Sequence, residues 1–461
     1  MTRVVIVGGG PGGYEAALVA AQLGAAVTLV DRDGIGGSAV VTDCVPSKTL
    51  IATAEVMASV QGAGELGVRM AGHGDLAGSV GVDLAVVNAR VKALAASQSD
   101  DISRRLRAEG VRLVAGSGRL DETAQVIATT DQGEQRLPAD AVLVATGAHP
   151  RILDSAVPDG QRILTWEQVY DLDEVPSRLV VVGSGVTGAE FASAYNAFGI
   201  DVVLVSSRDR VLPGEDADAA AVIKDVLTRR GMTLLGNARA SSVERHGDVV
   251  SVTLTDGRVV DGSHCLLAVG SLPNTAGLGL ESAGVDLDEA GNICVDKVSR
   301  TTARGVYAAG DCTGVLMLAS VAAMQGRIAM WHALGDAVAP LDLKTVSSNI
   351  FTAPEIATVG WTQEAVDSQE IEANVVTLPL AGNARAKMQG VRDGFVKLFC
   401  RPGTGIVIGG VVVAPRASEL IHPISVAIAE RLTVDELAHA FTVYPSLSGS
   451  IAEAARRLHT R

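Results

Sequence analysis

The stretch VVIVGGGPGGYEAALVAAQLGAAVTLVD, from Val4 to Asp31, decides the fold. It consists of a β-branched run, a G-x-G-x-x-G turn at Gly8, Gly10 and Gly13, an Ala-rich helical stretch and a second β-branched run. In such a βαβ unit the first glycine makes a tight turn, the second lets the backbone approach a pyrophosphate, and the third lets the helix pack on the strand. The pattern therefore predicts a dinucleotide-binding domain, with phosphate charge stabilised at the helix N-terminus.

The same pattern returns 175 positions later in LVVVGSGVTGAEFASAYNAFGIDVVLVS, from Leu179 to Ser206. Its turn glycines are Gly183, Gly185 and Gly188, and each matches the corresponding glycine of the first copy. A single turn of this kind is a weak signal, because many glycine turns bind nothing. Two copies in register, each with complete flanking runs, are specific. We therefore predict two Rossmann-like dinucleotide-binding domains in one chain.

The two copies differ at the end of their second strand. The first ends in Asp31, a carboxylate suited to the hydroxyls of an unphosphorylated ribose. The second has Ser206, Ser207 and Arg208 there, and hydroxyls with a cation would tolerate a 2′-phosphate. The alternative is that Arg208 is only a solvated charge at a strand end. The second site is thus predicted to take NADPH or NADH, and the residues lean towards NADPH.

Three further segments end an aliphatic strand in a small-residue turn, where backbone can lie against a cofactor. They are AVLVATG (Ala141 to Gly147), CLLAVG (Cys265 to Gly270) and GVYAAGDCTG (Gly305 to Gly314). In the last, Asp311 follows a buried strand and precedes a helical segment from Leu318 to Leu334, so its carboxylate is a candidate polyol ligand. After about Thr345 the sequence pattern changes. Strands such as FVKLFC and GIVIGGVVVA are followed by helices without a dinucleotide fingerprint, and this pattern indicates an interface or substrate-lid module.

Composition excludes several classes of protein. A net charge of −14 disfavours binding to nucleic acid, and aromatic residues at 3% provide few stacking platforms for single strands. The five cysteines form no C-x-x-C, so we expect neither a disulfide framework nor a metal site. The N-terminal apolar run is too short for a signal peptide, and no run approaches a membrane helix. We expect a cytoplasmic protein without an integral membrane segment.

The order of these motifs resembles the pyridine nucleotide–disulfide oxidoreductase family, which includes dihydrolipoamide dehydrogenase and glutathione reductase. The motifs that carry the resemblance span the chain: GGGPGGYEAA from Gly8, GGSAVVTDCVPSK from Gly36, VATG from Val144, the second turn with Glu190, AVGSLPNT from Ala268, YAAGDCTG from Tyr307 and YPSLSGS from Tyr444. The resemblance implies an α/β fold with two Rossmann-like domains and a C-terminal α+β dimerisation domain. The implied domains are FAD-binding at 1–150 and 276–345, NAD(P)H-binding at 151–275, and interface at 346–461.

The resemblance also assigns cofactor sites, and it implies a homodimer. The residues implied to hold FAD are Gly8, Gly10, Gly13, Asp31, Gly37, Ser38, Lys48, Ala145, Thr146, Gly147, Asp311 and Ala319 at the start of the following helix. Those implied to hold NAD(P)H are Gly183, Gly185, Gly188, Ser206, Ser207, Arg208 and Gly270.

The chain departs from the family where disulfides are reduced. The family's redox motif carries two cysteines, and here the first position is Ala39 and the second Cys44, so the intramolecular disulfide cannot form. The family's acid/base motif begins with His, and here Tyr444 aligns with it, with Gly449 at the following Glu position. A Tyr hydroxyl, with an unperturbed pKa near 10, replaces an imidazole near 6.5 poorly in thiol proton transfer.

The flavin side of the family's site is intact. Lys48 matches the family's lysine beside the flavin, and Glu190 matches its ion-pair partner. Both are predicted to be catalytic, the alternative being a purely structural pair. Cys44 is a packing residue, a charge-transfer donor or an oxidation-prone thiol, and packing is favoured. Tyr444, contributed across a dimer interface, either hydrogen-bonds the acceptor or packs as an aromatic ring.

These features predict an FAD-dependent NAD(P)H:quinone oxidoreductase, resembling disulfide-less actinobacterial flavoproteins. Hydride would pass from NAD(P)H to FAD, and electrons would pass directly to a quinone-type acceptor. The alternatives are a soluble pyridine nucleotide transhydrogenase, a dihydrolipoamide dehydrogenase-like enzyme and, from another class, a non-catalytic flavoprotein redox sensor.

Overall fold

The computed structural model describes residues 1–69 and 80–459. Within them the chain forms two units. The first unit comprises Met1–Thr49, Asn88–Arg151 and Gly270–Asp342, and the second comprises Leu50–Val87, Ile152–Val269 and Leu343–Arg461. Each glycine turn of the repeat therefore falls in a different unit.

Strands and helices alternate along much of the chain. From 1 to 150 the elements are β1 (Arg3–Val7), α1 (Pro11–Gln22), β2 (Ala26–Asp31), α2 (Gly37–Val41), α3 (Cys44–Gly62), α4 (Leu84–Ala108), β3 (Arg112–Ala115), β4 (Ser117–Leu120), β5 (Val126–Thr130), β6 (Gly133–Leu137), β7 (Ala141–Val144) and β8 (Ala148–Pro150). From 151 to 345 they are β9 (Ile163–Thr165), β10 (Arg178–Val182), α5 (Val186–Ala197), β11 (Asp201–Val205), α6 (Ala217–Arg229), β12 (Thr233–Leu235), β13 (Ala240–His246), β14 (Val249–Leu254), β15 (Val259–Gly262), β16 (His264–Leu267), β17 (Ser271–Pro273), β18 (Val306–Ala308) and α7 (Ala319–Ala333). The remaining elements are β19 (Ser347–Ile350), β20 (Glu355–Gly360), α8 (Gln363–Asp367), β21 (Asn374–Pro379), α9 (Ala384–Met388), β22 (Phe395–Cys400), β23 (Val407–Ala414), α10 (Ala417–Leu420), α11 (His422–Ala429), α12 (Val434–His439) and α13 (Gly449–Arg457).

The first unit is built on a parallel sheet with strand order β18-β7-β1-β2-β3. Its central strands are β-branched and buried on both faces, as parallel strands covered by helices require. Helices α1 and α7 pack closely because small residues meet there: a Cβ added at Gly326 would lie 2.0 Å from the carbonyl oxygen of Gly12. The contact brings the helix of the first glycine turn beside the helix that follows Asp311.

The second unit repeats this design and adds a C-terminal sheet. Its parallel sheet has the order β12-β11-β10-β16-β9, and β10 pairs with β11 as β1 pairs with β2. The C-terminal sheet is antiparallel, with the order β19-β20-β23-β22-β21, and helices α10, α11 and α13 pack on it. Two Rossmann-like domains and a C-terminal α+β domain are therefore present, and the predicted fold class is confirmed.

Two further observations bear on function. None of the five cysteines forms a disulfide. In the described ranges, no helix is long and apolar enough to cross a membrane.

Candidate functional site

The first glycine turn leaves space at one glycine and is closely packed at the other two. A Cβ on Gly8, whose φ is +107°, would lie 2.2 Å from the carbonyl oxygen of Ala145, and one on Gly13 would lie 1.9 Å from that of Gly8. At Gly10 the nearest neighbour of an added Cβ is the Cα of Gly37, at an ordinary 3.9 Å. The turn is therefore tight where strand and helix meet, and open at Gly10, the position that a pyrophosphate approaches in this motif.

The second turn has the same geometry. A Cβ on Gly183, with φ +112°, would lie 2.1 Å from the carbonyl oxygen of Ala268, and one on Gly188 would lie 1.8 Å from that of Gly183. An added Cβ at Gly185 meets nothing within 4 Å. Each turn thus has its own open space at the middle glycine, which a side chain would fill. The residues present in each turn fit a dinucleotide pyrophosphate.

The predicted difference at the end of the second strand is visible in the hydrogen bonds. In the first unit, Oδ2 of Asp31 accepts from the N–H of Gly9 at 2.6 Å, and Oδ1 accepts from the N–H groups of Asp33 and Gly34 at 2.9 and 2.6 Å. Burial raises the pKa of this carboxyl even though the three backbone donors act in the opposite direction. The carboxylate is therefore fixed against the first glycine turn.

In the second unit a pair of hydroxyls takes the equivalent place. The Oγ of Ser184, which corresponds to Gly9, donates to the Oγ of Ser206 at 2.7 Å. The Ser206 hydroxyl donates in turn to the carbonyl of Arg210 at 3.1 Å and accepts from the N–H of Arg208 at 3.2 Å. Ser206 is buried, whereas Ser207 and Arg208 are exposed. Of the three predicted specificity residues, Ser206 shapes the loop, and the other two are accessible to a ligand.

Two turns that are far apart in the sequence meet in the first unit. The Oγ1 of Thr146 donates to the carbonyl of Asn274 at 2.7 Å, and the Nδ2 of Asn274 donates to the carbonyl of Thr146 at 2.9 Å. The N–H of Arg151 donates to the carbonyl of Gly270 at 2.9 Å. The predicted site residues Ala145–Gly147 and Gly270 therefore lie in one unit, where β8 pairs with β17.

The Asp311 carboxyl stands in a single 3-10 turn, Asp311–Thr313, directly after β18. Burial, with a smaller contribution from the charge of Asp43, raises its pKa to about 6. The turn is held by Gln325, a buried residue of α7: its Oε1 accepts from the N–H of Gly310 at 2.9 Å, and its Nε2 donates to the Oγ1 of Thr313 at 3.3 Å. Ala319 begins α7, as expected. Sequence reasoning missed Gln325, although an amide in a largely apolar helical stretch was a signal.

The predicted catalytic residues occupy four different settings. Cys44 is a half-buried thiol at the start of α3, and Lys48 follows one helical turn later. Glu190 lies on α5 with 3% of its surface exposed, and its Oε1 accepts from the backbone N–H of Phe351 at 2.8 Å. Tyr444 is 86% exposed. The side chain of Glu190 is thus fixed by the C-terminal domain of its own unit.

The position of the missing cysteine is also clear. Ala39 lies in α2, next to Ser38, which is exposed. A side chain without sulfur stands there, so no intramolecular disulfide with Cys44 exists.

Comparison with known proteins places the whole chain in one family. The model described as pyridine nucleotide-disulphide oxidoreductase matches residues 2–326, and the model of that family's dimerisation domain matches residues 346–455. The "NAD(P)H dehydrogenase (quinone)" of Mycobacterium tuberculosis H37Rv is 56% identical, over 99% of this chain and 94% of that protein. The "dihydrolipoyl dehydrogenase" of Chlamydia trachomatis is 32% identical, over 98% of this chain and 95% of that protein.

Solved structures agree with this assignment. The crystal structure of LpdA from Mycobacterium tuberculosis has a TM-score of 0.95 and 56% identity, with 100% of both chains covered. The flavoprotein disulfide reductase RclA from Escherichia coli has a TM-score of 0.86 over 99% of both chains, at 24% identity, which shows a shared fold.

Proposed function

Because the chain belongs to the pyridine nucleotide-disulphide oxidoreductase family, we propose that it transfers electrons from NAD(P)H through FAD to a quinone without a redox disulfide. The chain is an oxidoreductase, and this family uses FAD and NAD(P)H. The observation that carries the proposal is the combination of two open glycine cradles with an alanine, Ala39, at the first redox cysteine position. The 56% identical relative named as a quinone dehydrogenase supports the acceptor class.

For FAD we propose the first unit. Gly10 would admit the pyrophosphate, Asp31 would bind the adenosine ribose, and Asp311 would bind the polyol chain, for which Gln325 holds the turn. FAD, when bound, supplies a two-electron carrier between nucleotide and acceptor. The role of the protein would be to hold FAD and to place charged side chains around it.

For the pyridine nucleotide we propose the second turn. Gly185 would admit the pyrophosphate, and the exposed Ser207 and Arg208 would face the adenosine ribose. Arg208 is a fixed cation, since a guanidinium keeps its charge throughout the physiological range. Contact with a 2′-phosphate would favour NADPH over NADH, and the absence of an acid at Ser206 removes the usual acceptor for a free ribose diol.

Among the proposed catalytic residues, Lys48 carries the electrostatic role. Its ammonium would stabilise negative charge that develops on the cofactor. We propose that Glu190 assists by carrying a carboxylate whose orientation is fixed by the N–H of Phe351. For Cys44 we propose packing, because no partner cysteine stands at Ala39 to receive electrons.

We propose that the C-terminal domain forms a homodimer. The matched dimerisation domain at residues 346–455 supports this proposal, and Tyr444 would then approach the acceptor from the partner subunit. A cytoplasmic location is also proposed, on the ground that the five cysteines form no disulfide, as is usual in a reducing compartment.

Reduction of a lipoyl disulfide is the second candidate, because 32% identical relatives carry the name dihydrolipoyl dehydrogenase. Ala39 weighs against it, since exchange with a substrate disulfide requires a dithiol on the enzyme.

The test is steady-state oxidation of NADPH and NADH by the purified FAD-loaded protein with four acceptors: menadione, a benzoquinone, lipoamide and a thio-nicotinamide nucleotide. We expect turnover with both quinones and little with lipoamide. Lipoamide turnover equal to quinone turnover would refute the proposal, and dominant reduction of the nucleotide analogue would identify a transhydrogenase instead. No oxidation with any acceptor would identify a non-catalytic flavoprotein.

A further inference from the structure

A lysine is buried in the C-terminal sheet of the second unit. Lys397 lies in the middle of β22 with 1% of its surface exposed, although its neighbours in FVKLFC are apolar and buried. Its Nζ donates to Oδ1 and Oδ2 of Asp216 at 3.0 and 2.8 Å and to Oδ2 of Asp218 at 2.7 Å. Burial alone would lower the pKa of this ammonium, but the two carboxylates raise it above its usual value. Lys397 is therefore a charged group bound to the start of α6.

Asp216 ends the loop that follows β11. Its carboxylate also caps α6, accepting from the N–H groups of Asp218 and Ala219 at 3.0 and 3.2 Å. The side chain is only 4% exposed, so its orientation is fixed on one side by the helix and on the other by Lys397. We call the segment from Ser206 to Asp216 the specificity loop, because it carries the exposed Ser207 and Arg208.

The specificity loop is also bound to the second glycine turn, at its first residue and in its middle. The N–H of Leu212 donates to the carbonyl of Ser184 at 2.9 Å, and the hydroxyls of Ser184 and Ser206 are 2.7 Å apart. Between these points, the guanidinium of Arg210 donates to the carbonyl of Pro213 at 3.0 Å. Hydrogen bonds therefore connect the loop to the second glycine turn and, through Asp216, to Lys397.

A buried ion pair contributes little to stability compared with a well-packed apolar residue, because both charges must be desolvated. The residues beside Lys397 in its strand, Phe395, Val396, Leu398 and Phe399, are apolar and buried, so the setting is one in which an apolar side chain would be expected. What the ammonium provides, and a methionine would not, is a fixed direction for the Asp216 carboxylate. This is an orienting role.

We propose that Lys397 is a positioning residue for the pyridine nucleotide: through Asp216 it sets the specificity loop so that Ser207 and Arg208 face the adenosine ribose. The proposal rests on the proposed function, which assigns the nucleotide to the second turn. In this proposal Lys397 acts through Asp216 and not by contact with the nucleotide.

The test compares three variants of the FAD-loaded protein. Lys397→Met removes the ammonium and leaves Asp216 as a buried, unpaired charge, so we expect lower thermal stability. We also expect KM and Kd for NADPH to rise about tenfold, with kcat changed less than about twofold, because only nucleotide positioning is altered. Asp218→Asn is the matched control, since Asp218 is 64% exposed and Asp216 still binds Lys397; its Kd for NADPH should stay near that of the wild type.

The double variant Asp216→Asn/Lys397→Met separates positioning from stability, and it keeps the test valid if the single variant fails to fold. An asparagine still caps α6, and no buried charge remains, so stability should recover while Kd for NADPH stays raised. Recovery of both quantities together would overturn the proposal, as would an unchanged Kd in Lys397→Met. Kd is measured by equilibrium titration with NADP⁺ as the non-reducing stand-in for NADPH, because NADPH itself would reduce FAD. The outcome is therefore independent of whether quinones are the acceptor class.

Discussion

Alanine substitutions at two glycines of the second turn should affect different properties. Gly188→Ala should lower the stability of the fold, whereas Gly185→Ala should weaken nucleotide binding. In Gly188→Ala the new Cβ would lie 1.8 Å from the carbonyl oxygen of Gly183, far inside the 3.0 Å that Cβ atoms essentially never cross. Helix α5 would have to move away from β10 by more than about 1 Å. The two nearest atoms both belong to the Gly183 backbone, so rotation of a side chain offers no relief. We expect a loss of about 3 kcal/mol or more in the free energy of unfolding.

Gly185→Ala should leave stability almost unchanged. Its φ of −71° suits any residue, and the new Cβ meets no protein atom within 4 Å. The lower unfolded-state entropy of alanine and its poorer capping of α5 act in opposite directions, so the net change should be below about 1 kcal/mol. The methyl would nevertheless occupy the space that a pyrophosphate needs. We expect Kd for NADPH to rise at least about tenfold, which corresponds to about 1.4 kcal/mol.

The assay is urea-induced unfolding together with calorimetric titration of NADP⁺, the non-reducing stand-in for NADPH, for the wild type and both variants in the FAD-loaded protein. In the first turn, measured on FAD-free protein, Gly13→Ala should lower stability, and Gly10→Ala should raise Kd for FAD with stability almost unchanged. Wild-type nucleotide affinity in a well-folded Gly185→Ala protein would refute the assignment of the cradle. A fully stable Gly188→Ala protein would refute the packing argument.

Four further substitutions test individual residues. Lys48→Met should lower the rate of NADPH oxidation per bound FAD about a hundredfold, because a charge that stabilises the transition state is lost; equal rates in stopped-flow experiments would exclude that role. Arg208→Leu should raise KM for NADPH about tenfold and leave KM for NADH unchanged, and a parallel rise for both nucleotides would contradict contact with a 2′-phosphate. Cys44→Ser should keep menadione turnover within about twofold, because serine has nearly the same volume as the proposed packing residue, and a collapse would show a redox role. For Asp311, the native state holds the proton more tightly than the unfolded state, so stability of the FAD-free protein should fall as pH rises from about 4 to about 6. Asp311→Asn should remove that slope and gain about 3 kcal/mol at pH 7 while weakening FAD binding, and identical pH profiles in denaturant titrations would contradict the raised pKa.

The glycine turns could be predicted from sequence because their constraints are local. A positive φ at Gly8 and a close backbone approach at Gly13 require glycine whatever surrounds them, and the alternation of β-branched and Ala-rich runs supplies the strand–turn–helix order. The same locality explains why the difference between Asp31 and Ser206 was visible before the structure. The fold class was predicted correctly for these reasons.

Contacts between distant segments were not visible in the sequence. Lys397 and Asp216 are 181 positions apart, and only folding brings β22 to the start of α6. The signal was the single cation in the apolar strand FVKLFC, which is costly to bury without a partner. The hydroxyl network of Ser206 was missed for a similar reason, since its direction depends on Ser184 in the glycine turn. Local chemistry therefore predicted the cradles, and tertiary packing determines how the specificity loop is held.

Transfer of electrons from nucleotide to quinone without a dithiol relay can be tested by counting electrons. The measurement is an anaerobic reductive titration of the purified FAD-loaded protein, followed by back-titration with menadione. Because position 39 is alanine, Cys44 cannot form the family's redox disulfide, and we expect two electrons per subunit for complete reduction, all of them recovered by menadione. Uptake of four electrons per subunit would show a second redox centre formed by cysteines, and would contradict direct transfer from FAD to the quinone.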